Sequence, residues 1–459
     1  MTPLRLIRKT HSVCPRCLEV IDTHIMEKNS KIVMQKSCPQ HGSFEIVLSS
    51  TPAYYAELEQ YYFSLANEQY EVPEYEFWPT YQCNADCTIC CFGRQNQEMA
   101  GQDASMSEIK KLAKTCKKRF FIISGGDPTC RDDLDDIIRI FHKYGKVVTI
   151  NTNGLKCADL NYLKKLQKAG LDRMNLQFDG FDRQSYRALR RRDYLDIKLK
   201  VLENLQALGI QTTFNATIAR NLNEGAISEL MNFASEHPFI NGVNFFSICF
   251  LGGARDWAQS SYIMPDEIID LLIEQIKPKI SKKNIFIFQK LHLAVKSFLA
   301  QKWCFYNQVY LFVRRNGSFE PIDRFLNLAK AEPWLDRYRD AFKIRPLRAR
   351  LYLGMAVVCL FIKKESVVIL KELLLRGVSY FLKTRHYLKG SRFFSVSFST
   401  GCDPYKFDYD IVKHCQNEII AAQAQDGVIS HLGSDGLYCM GLERRHLNKI
   451  SQKEKINSC

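Results

Sequence analysis

Between Glu76 and Gln289, short apolar runs alternate with stretches in which apolar residues recur every three or four positions. The short runs, Arg119–Ser124, Val147–Asn151, Arg173–Phe178, Thr212–Ile218 and Gly242–Phe250, predict strands. Helical periodicity falls between them, over Met106–Lys118, Asp132–Tyr144, Leu160–Ala169 and Ile197–Leu208. Such alternation predicts an α/β fold, a parallel sheet with crossover helices, over residues 76–290. The pattern changes on either side. Residues 1–50 carry only a short strand pair, Val20–Asp22 and Lys31–Met34, and residues 51–75 a linker helix at Tyr54–Ala66. In residues 291–459, Arg315-Asn-Gly-Ser318 signals a hairpin turn, and the rest reads as mostly helical. No internal repeat is visible.

Charge sharpens the picture of the C-terminal region. The 459-residue chain has 64 Lys and Arg against 49 Asp and Glu, a net charge of +15. Residues 337–392 alone hold 14 Lys or Arg and 3 acids. This stretch includes the apolar run Leu351–Ile362, which Lys363 and Lys364 stop well short of the roughly 20 residues a membrane span needs. On one continuous helix Lys364, Lys371, Arg376 and Lys383 would share a face. Two readings follow: a core helix pair with a solvated basic face, or a peripheral contact with anionic lipid on the inner face of the membrane. A nucleic-acid surface is disfavoured, because the aromatic and glycine spacing of RNA modules is missing. The N-terminus, Met1 to Lys9, lacks the apolar core of a secretion signal, and the cysteines cluster at metal-ligand spacings. Both features predict a cytoplasmic protein.

The metal ligands form two groups. Cys14-Pro-Arg-Cys17 and Cys38-Pro-Gln-His41 make two knuckles, and a Cys₃His set suits tetrahedral zinc, with a mononuclear iron of the rubredoxin kind as the alternative. Cys83, Cys87 and Cys90 follow C-x₃-C-x₂-C spacing; three thiolates ligate three irons of a 4Fe–4S cube and leave the fourth open. The adjacent Cys91 reads as a buried thiol. Cys304, Cys402, Cys415 and Cys439 are either ligands of a second 4Fe–4S cluster or four separate buried thiols. Ser124-Gly-Gly-Asp-Pro128 follows a predicted strand, where Gly125 and Gly126 permit close backbone approach. Asn151-Thr-Asn-Gly154 and Asn175-Leu-Gln-Phe-Asp-Gly180 end the next two strands, with Gln177 and Asp179 alternating onto one face. Strand-end turn chemistry is the plain reading of these last two.

The cysteine spacing and the Gly-Gly-Asp-Pro element resemble the signatures of radical S-adenosylmethionine (SAM) enzymes. The resemblance implies a partial (β/α)₆ barrel, a 4Fe–4S cluster on Cys83, Cys87 and Cys90, and SAM chelating the open iron. It also implies SAM contacts from Gly125, Gly126 and Asp127, with Asp127 where Glu is commoner. Phe92 would stand in for the aromatic residue that Ile89 replaces, and Asn153, Gln177 and Asp179 would meet the ribose or the substrate. Asn244 and Arg255 are candidates for the SAM carboxylate. A ferredoxin- or flavodoxin-like protein would donate one electron. The two N-terminal knuckles, Leu176-Gln-Phe-Asp-Gly180 and Gly317-Ser-Phe-Glu-Pro-Ile-Asp-Arg-Phe325 resemble the branch containing archaeal tetraether lipid synthase. Tyr438-Cys-Met-Gly departs from that branch's usual Phe-Cys-x-Tyr-Asn.

The implied activity is reductive SAM cleavage and hydrogen abstraction from an unactivated C–H bond, on a small-molecule or lipid substrate. The apolar, basic C-terminal segment favours a lipid tail and carbon–carbon coupling. The alternatives are methylation of a pterin or an RNA base, and a non-enzymatic iron–sulfur redox or maturation factor. No side chain is assigned as a catalytic acid or base.

Overall fold

The computed structural model describes residues 4–91, 103–277, 279–381, 392–414, 419–423 and 428–433. Its first four strands, β1 (Arg5–Val13), β2 (Val20–Lys28), β3 (Lys31–Cys38) and β4 (Gly42–Ser49), form an antiparallel meander in chain order. The expected pair is β2 and β3, joined at Asn29 and Ser30, which both take positive φ as a two-residue hairpin turn requires. The meander contributes Ile25, Ile32, Met34 and Ile46 to the same apolar core as α1 (Pro52–Leu65), the expected linker helix. Pro52 sits in the first turn of α1, where its missing N–H costs nothing.

The central alternation folds as its periodicity predicts. Its elements are β5 (Tyr75–Thr80), α2 (Met106–Thr115), β6 (Phe120–Gly125), α3 (Leu134–Lys143), β7 (Val147–Thr152) and α4 (Leu160–Ala169). Then come β8 (Arg173–Gln177), α5 (Arg183–Arg190), α6 (Leu195–Leu208), β9 (Gln211–Ile218), α7 (Ala226–Glu236) and β10 (Ile240–Ser247). Strands β5 to β10 lie side by side in chain order, every pair parallel. Polar side chains start the helices: Asp159 accepts the Asn161 N–H at 2.8 Å before α4, and Asp182 the Ser185 N–H at 2.7 Å before α5. Burial alternates along each strand. On β8, Met174 and Leu176 are fully buried while Asn175 and Gln177 are half-exposed, so one face lies under the helices and the other lines an open lumen.

The C-terminal region comprises α8 (Pro265–Gln275), α9 (Lys282–Phe298), β11 (Asn307–Arg315), β12 (Ser318–Pro321), α10 (Leu328–Ala341), α11 (Pro346–Leu360) and α12 (Ser366–Phe381). It continues with β13 (Phe393–Ser399), α13 (Tyr409–Val412), β14 (Ile419–Gln423) and β15 (Val428–Gly433). The hairpin at Asn316–Gly317 joins β11 to β12 as expected. The expectation of a mostly helical region holds for its middle but omits its contribution to the sheet. Strand β13 pairs in parallel with β10, β11 and β12 extend that edge, and β14 pairs in parallel with β5 at the other edge. The result is one 11-stranded sheet. The basic segment is also broken: a turn at 361–365 separates α11 from α12 and takes Lys364 off the helical face predicted for it. Lys383 lies outside the described residues. Among the described residues, no helix is long and apolar enough to cross a membrane.

The N-terminal meander docks on the C-terminal segment through buried charge. Arg8 Nη2 lies 2.9 Å from Glu59 and 2.5 Å from Asp408, and Nη1 lies 3.0 Å from Asp410. Thr10 donates to Asp408 at 2.9 Å, and Lys36 donates to Ser12 at 2.8 Å and to the Tyr405 carbonyl at 2.9 Å. Asp408 is fully buried, so removing its cation strands a charge. Arg8→Ala is expected to cost about 3–5 kcal/mol in denaturant unfolding. Arg5→Ala, which loses only the exposed pair with Glu27, is expected to cost less than about 1 kcal/mol.

Candidate active site

The loop after β5 carries Cys83, Cys87 and Cys90 and has no regular backbone ladder, so its shape depends on its neighbours. The turn after β6 lies directly against its start. Gly126 N–H donates to Thr80 O at 3.1 Å and Asp127 N–H to Gln82 O at 2.7 Å. A Cβ on Gly125, whose φ is +110°, would overlap the Thr80 carbonyl oxygen, and one on Gly126 those of Tyr81 and Gln82. The loop's far end meets a second glycine pair, Gly252 and Gly253, after β10. There Gly253 N–H donates to Cys90 O at 2.8 Å, and added Cβ atoms would overlap the carbonyls of Thr88, Cys90 and Cys91. On a third side, Thr88 Oγ1 donates to Leu189 O at 2.9 Å and Arg191 pairs with Asp86 at 2.8 Å. Asn153 closes the fourth side, with its Nδ2 2.8 Å from Asn84 Oδ1 and 3.7 Å from Cys83 Sγ. The three cysteines are thus carried on one clamped loop at the C-terminal end of β5. Three such thiols fit a 4Fe–4S cube with one iron left for a chelating cofactor.

The strand-end carboxylates have tasks other than the direct contacts expected of them. Asp127 is buried, and its oxygens accept from Thr129 N (2.9 Å), Thr129 Oγ1 (2.6 Å), Thr152 Oγ1 (3.0 Å) and Asn153 N (2.7 Å). Burial holds its carboxyl above the usual carboxylate range, against the pull of those bonds. It ties the Gly-Gly turn to the end of β7. Asp179 is also fully buried. Arg190 grips it with two bonds of 2.7 and 2.8 Å, and it accepts further from Gln177 Nε2 (2.6 Å) and Thr217 N (3.0 Å). Gln177 is engaged in turn, because Lys198 Nζ donates to its Oε1 (2.7 Å), to its carbonyl (2.6 Å) and to the Asn153 carbonyl (2.5 Å). Burial pulls the Lys198 amine down to about 7, opposed by Asp179.

Inside the lumen, side chains from successive strands join in a polar belt. Asn175 Nδ2 donates to Asn151 Oδ1 at 2.7 Å, and Asn151 Nδ2 to Ser124 Oγ at 3.4 Å. On the next strands, Asn244 Nδ2 donates to Asn215 Oδ1 at 2.8 Å, and Ser397 Oγ to Asn244 Oδ1 at 2.6 Å. Sequence reasoning missed Arg190, Lys198, the Gly252–Gly253 clamp and all of this belt but Asn244. The signal for the belt was present, as asparagine recurs in β7 to β10, in register within the β7–β8 and β9–β10 pairs. Arg255 is exposed just beyond the Gly252–Gly253 clamp. Phe92 lies outside the described residues.

The N-terminal set converges as its spacing predicts. Donor atoms of Cys14, Cys17, Cys38 and His41 all lie within 4.8 Å of one another. Cys17 and Cys38 sulfurs are 3.8 Å apart, and His41 Nδ1 is 3.5 Å from Cys38 and 3.7 Å from Cys14. Those are the edges of a tetrahedron with metal–sulfur bonds of about 2.3 Å, the zinc value. Of the thiols considered for a second cluster, Cys304 and Cys402 influence each other, while Cys415 and Cys439 lie outside the described residues. Cys91 and Cys249 gather beside Cys402 in a small apolar cluster around Leu251 and Phe407.

Two outcomes follow from this geometry. Cys38→Ser is expected to lose one zinc per chain by elemental analysis and to lower the melting temperature, since the meander's knuckles then have no tether. Gly126→Ala is expected to leave zinc unchanged but to reduce iron uptake on reconstitution, because its methyl group displaces the start of the cysteine loop.

Comparison with known proteins finds a match for the segment around each site. Residues 79–234 match the model of the Radical SAM superfamily, and residues 6–50 that of the HMPTM N-terminal zinc ribbon domain. The chain is 28% identical over 361 residues, 70% of its own length and 71% of the other's, to 7,8-dihydro-6-hydroxymethylpterin dimethyltransferase of Methanocaldococcus jannaschii. It is 30% identical over 158 residues to a probable GTP 3′,8-cyclase of Pyrococcus abyssi, covering 34% of this chain and 51% of that one. Among solved structures, Streptococcus suis SuiB bound to S-adenosylmethionine aligns over 44% of this chain and 46% of its own, with 18% identity and a TM-score of 0.35. With a radical SAM segment that contains the cysteine loop and a zinc ribbon that contains the Cys₃His set, the chain is a radical SAM enzyme whose cofactors are a 4Fe–4S cluster, SAM and zinc.

Proposed function

We propose that this enzyme methylates a pterin or a closely related polar heteroaromatic ring. The observation that carries the reading is the amide belt on the inner face of the sheet, a Ser124–Asn151–Asn175 chain on β6 to β8 continued by an Asn215–Asn244–Ser397 chain on β9, β10 and β13. Such groups hydrogen-bond the donor and acceptor edges of a fused ring, whereas an alkyl chain would leave them desolvated without partners. The belt therefore counts against the lipid coupling that the C-terminal composition favoured. Likeness to the Methanocaldococcus enzyme over most of both chains, and the separate match of residues 6–50 to the HMPTM zinc ribbon, support the same choice.

When bound, the reduced cluster and SAM would supply an adenosyl radical able to take a hydrogen atom from the substrate. In this reading Cys83, Cys87 and Cys90 are the iron ligands, and the Gly125–Gly126 backbone approaches SAM. Asn153 orients the loop through Asn84. Asp127, Gln177 and Asp179 act indirectly, by fixing the strand ends through Thr152, Lys198 and Arg190. A ferredoxin or flavodoxin provides the electron.

The test is anaerobic reconstitution with iron and sulfide, then dithionite, SAM and 7,8-dihydro-6-hydroxymethylpterin, read by mass spectrometry for 5′-deoxyadenosine and methylated pterin. Pterin-stimulated deoxyadenosine that vanishes in Cys87→Ala is the expected result. Asn175→Leu is expected to retain iron and SAM binding but lose about tenfold or more in methylated product, the worth of one buried hydrogen bond to the ring. Deoxyadenosine formation indifferent to pterin, but stimulated by phospholipid, would return the reading to lipid modification.

A further inference from the structure

Helices α11 and α12 are apolar on the side that faces away from the protein. On α11, Ala349, Leu353, Ala356 and Leu360 are buried, the spacing of an inward face. Its opposite face should then be polar. Instead Leu347, Leu351 and Val358 stand there, 76%, 69% and 62% exposed. On α12, Ser366 and Ile369 are buried, while Val367, Leu370 and Leu374 are exposed. The apolar surface has a charged border. Arg345, Arg348, Arg350, Lys364 and Lys371 are exposed and make no ion pair among the described residues, and residues 344–375 contain only two acids, Glu365 and Glu372.

We propose that the α11–α12 pair is a peripheral docking surface for an anionic phospholipid bilayer, with the leucines and valines entering the acyl boundary and the arginines and lysines on the headgroup phosphates. Charge selects this occupant. A second copy meeting the same face across a two-fold axis would oppose like charges, and neither helix is long and apolar enough to span the bilayer. Cations around an exposed apolar stripe fit a surface that is negative outside and apolar within. The proposal concerns where the enzyme works and is independent of which ring it methylates.

The experiment is co-sedimentation of the purified full chain with phosphatidylcholine vesicles, with and without phosphatidylglycerol, alongside light-scattering measurement of its mass. Binding that requires phosphatidylglycerol and weakens with salt is expected. Each cation near such a surface is worth about fivefold, so Arg345→Glu/Arg348→Glu/Lys371→Glu should weaken binding about a hundredfold or more. Leu351→Ser/Val358→Ser/Leu374→Ser should weaken it at least about tenfold. These positions are exposed, and unchanged zinc content and melting temperature would verify that both variants fold. Absence of vesicle binding overturns the proposal, as does binding that the serine variant leaves intact. A dimer that the serine variant dissociates would also overturn it, assigning the face to a second copy.

Discussion

The buried ion pair between Asp179 and Arg190 is the constraint on which the site rests. Neither charge survives burial alone, so each fixes the other's position to within a hydrogen bond. Around that fixed point Gln177, Thr217 and Lys198 take their places, joining the ends of β7, β8 and β9 to helices α5 and α6. The residues on either side of Arg190 also hold the cysteine loop, Leu189 by accepting from Thr88 and Arg191 by pairing with Asp86, so the end of α5 that the pair fixes is the end that grips the loop. A loop without a ladder of its own thereby acquires the rigidity that cluster assembly needs.

The same logic operates at a second location with a different purpose. Arg8, Glu59, Asp408 and Asp410 bring together the zinc ribbon, α1 and the segment after β13. The ribbon is small, and it contributes core to the main body as well as holding a metal. Its zinc, chelated at the knuckles, and its charges, spent on the C-terminal segment, make it a brace between chain ends rather than a separate appendage.

Much of this was legible in the sequence, for reasons that particular residues make plain. Strands β6 to β10 and helices α2 to α4 follow from local periodicity, and Leu160–Ala169 was bounded correctly because Asp159 and Gly170 mark its ends. The zinc set and the cysteine loop were legible because metal chemistry demands fixed short spacings. Strand β13 was not, although Phe393–Ser399 alternates, because what makes it a strand is pairing with β10, far earlier in the chain. Asp127 and Asp179 read from sequence as cofactor contacts because a strand-end carboxylate advertises its charge, whereas their partners Thr152 and Arg190 are evident only in three dimensions. The lipid reading rested on composition, which reports an apolar basic segment without saying that asparagines recur along β7 to β10.

The sheet's two outer parallel strands come from the last quarter of the chain, with Phe77 of β5 beside Ile420 and Phe245 of β10 beside Phe398. During synthesis the six central strands therefore emerge long before either edge can be covered. Until residues beyond 390 leave the ribosome, both borders present unpaired backbone, the surface through which nascent chains pair wrongly with one another. Productive folding is in effect timed by translation of the C-terminus, and a cell making this enzyme has to shield the half-finished sheet, by chaperones or by speed, before any metal is inserted.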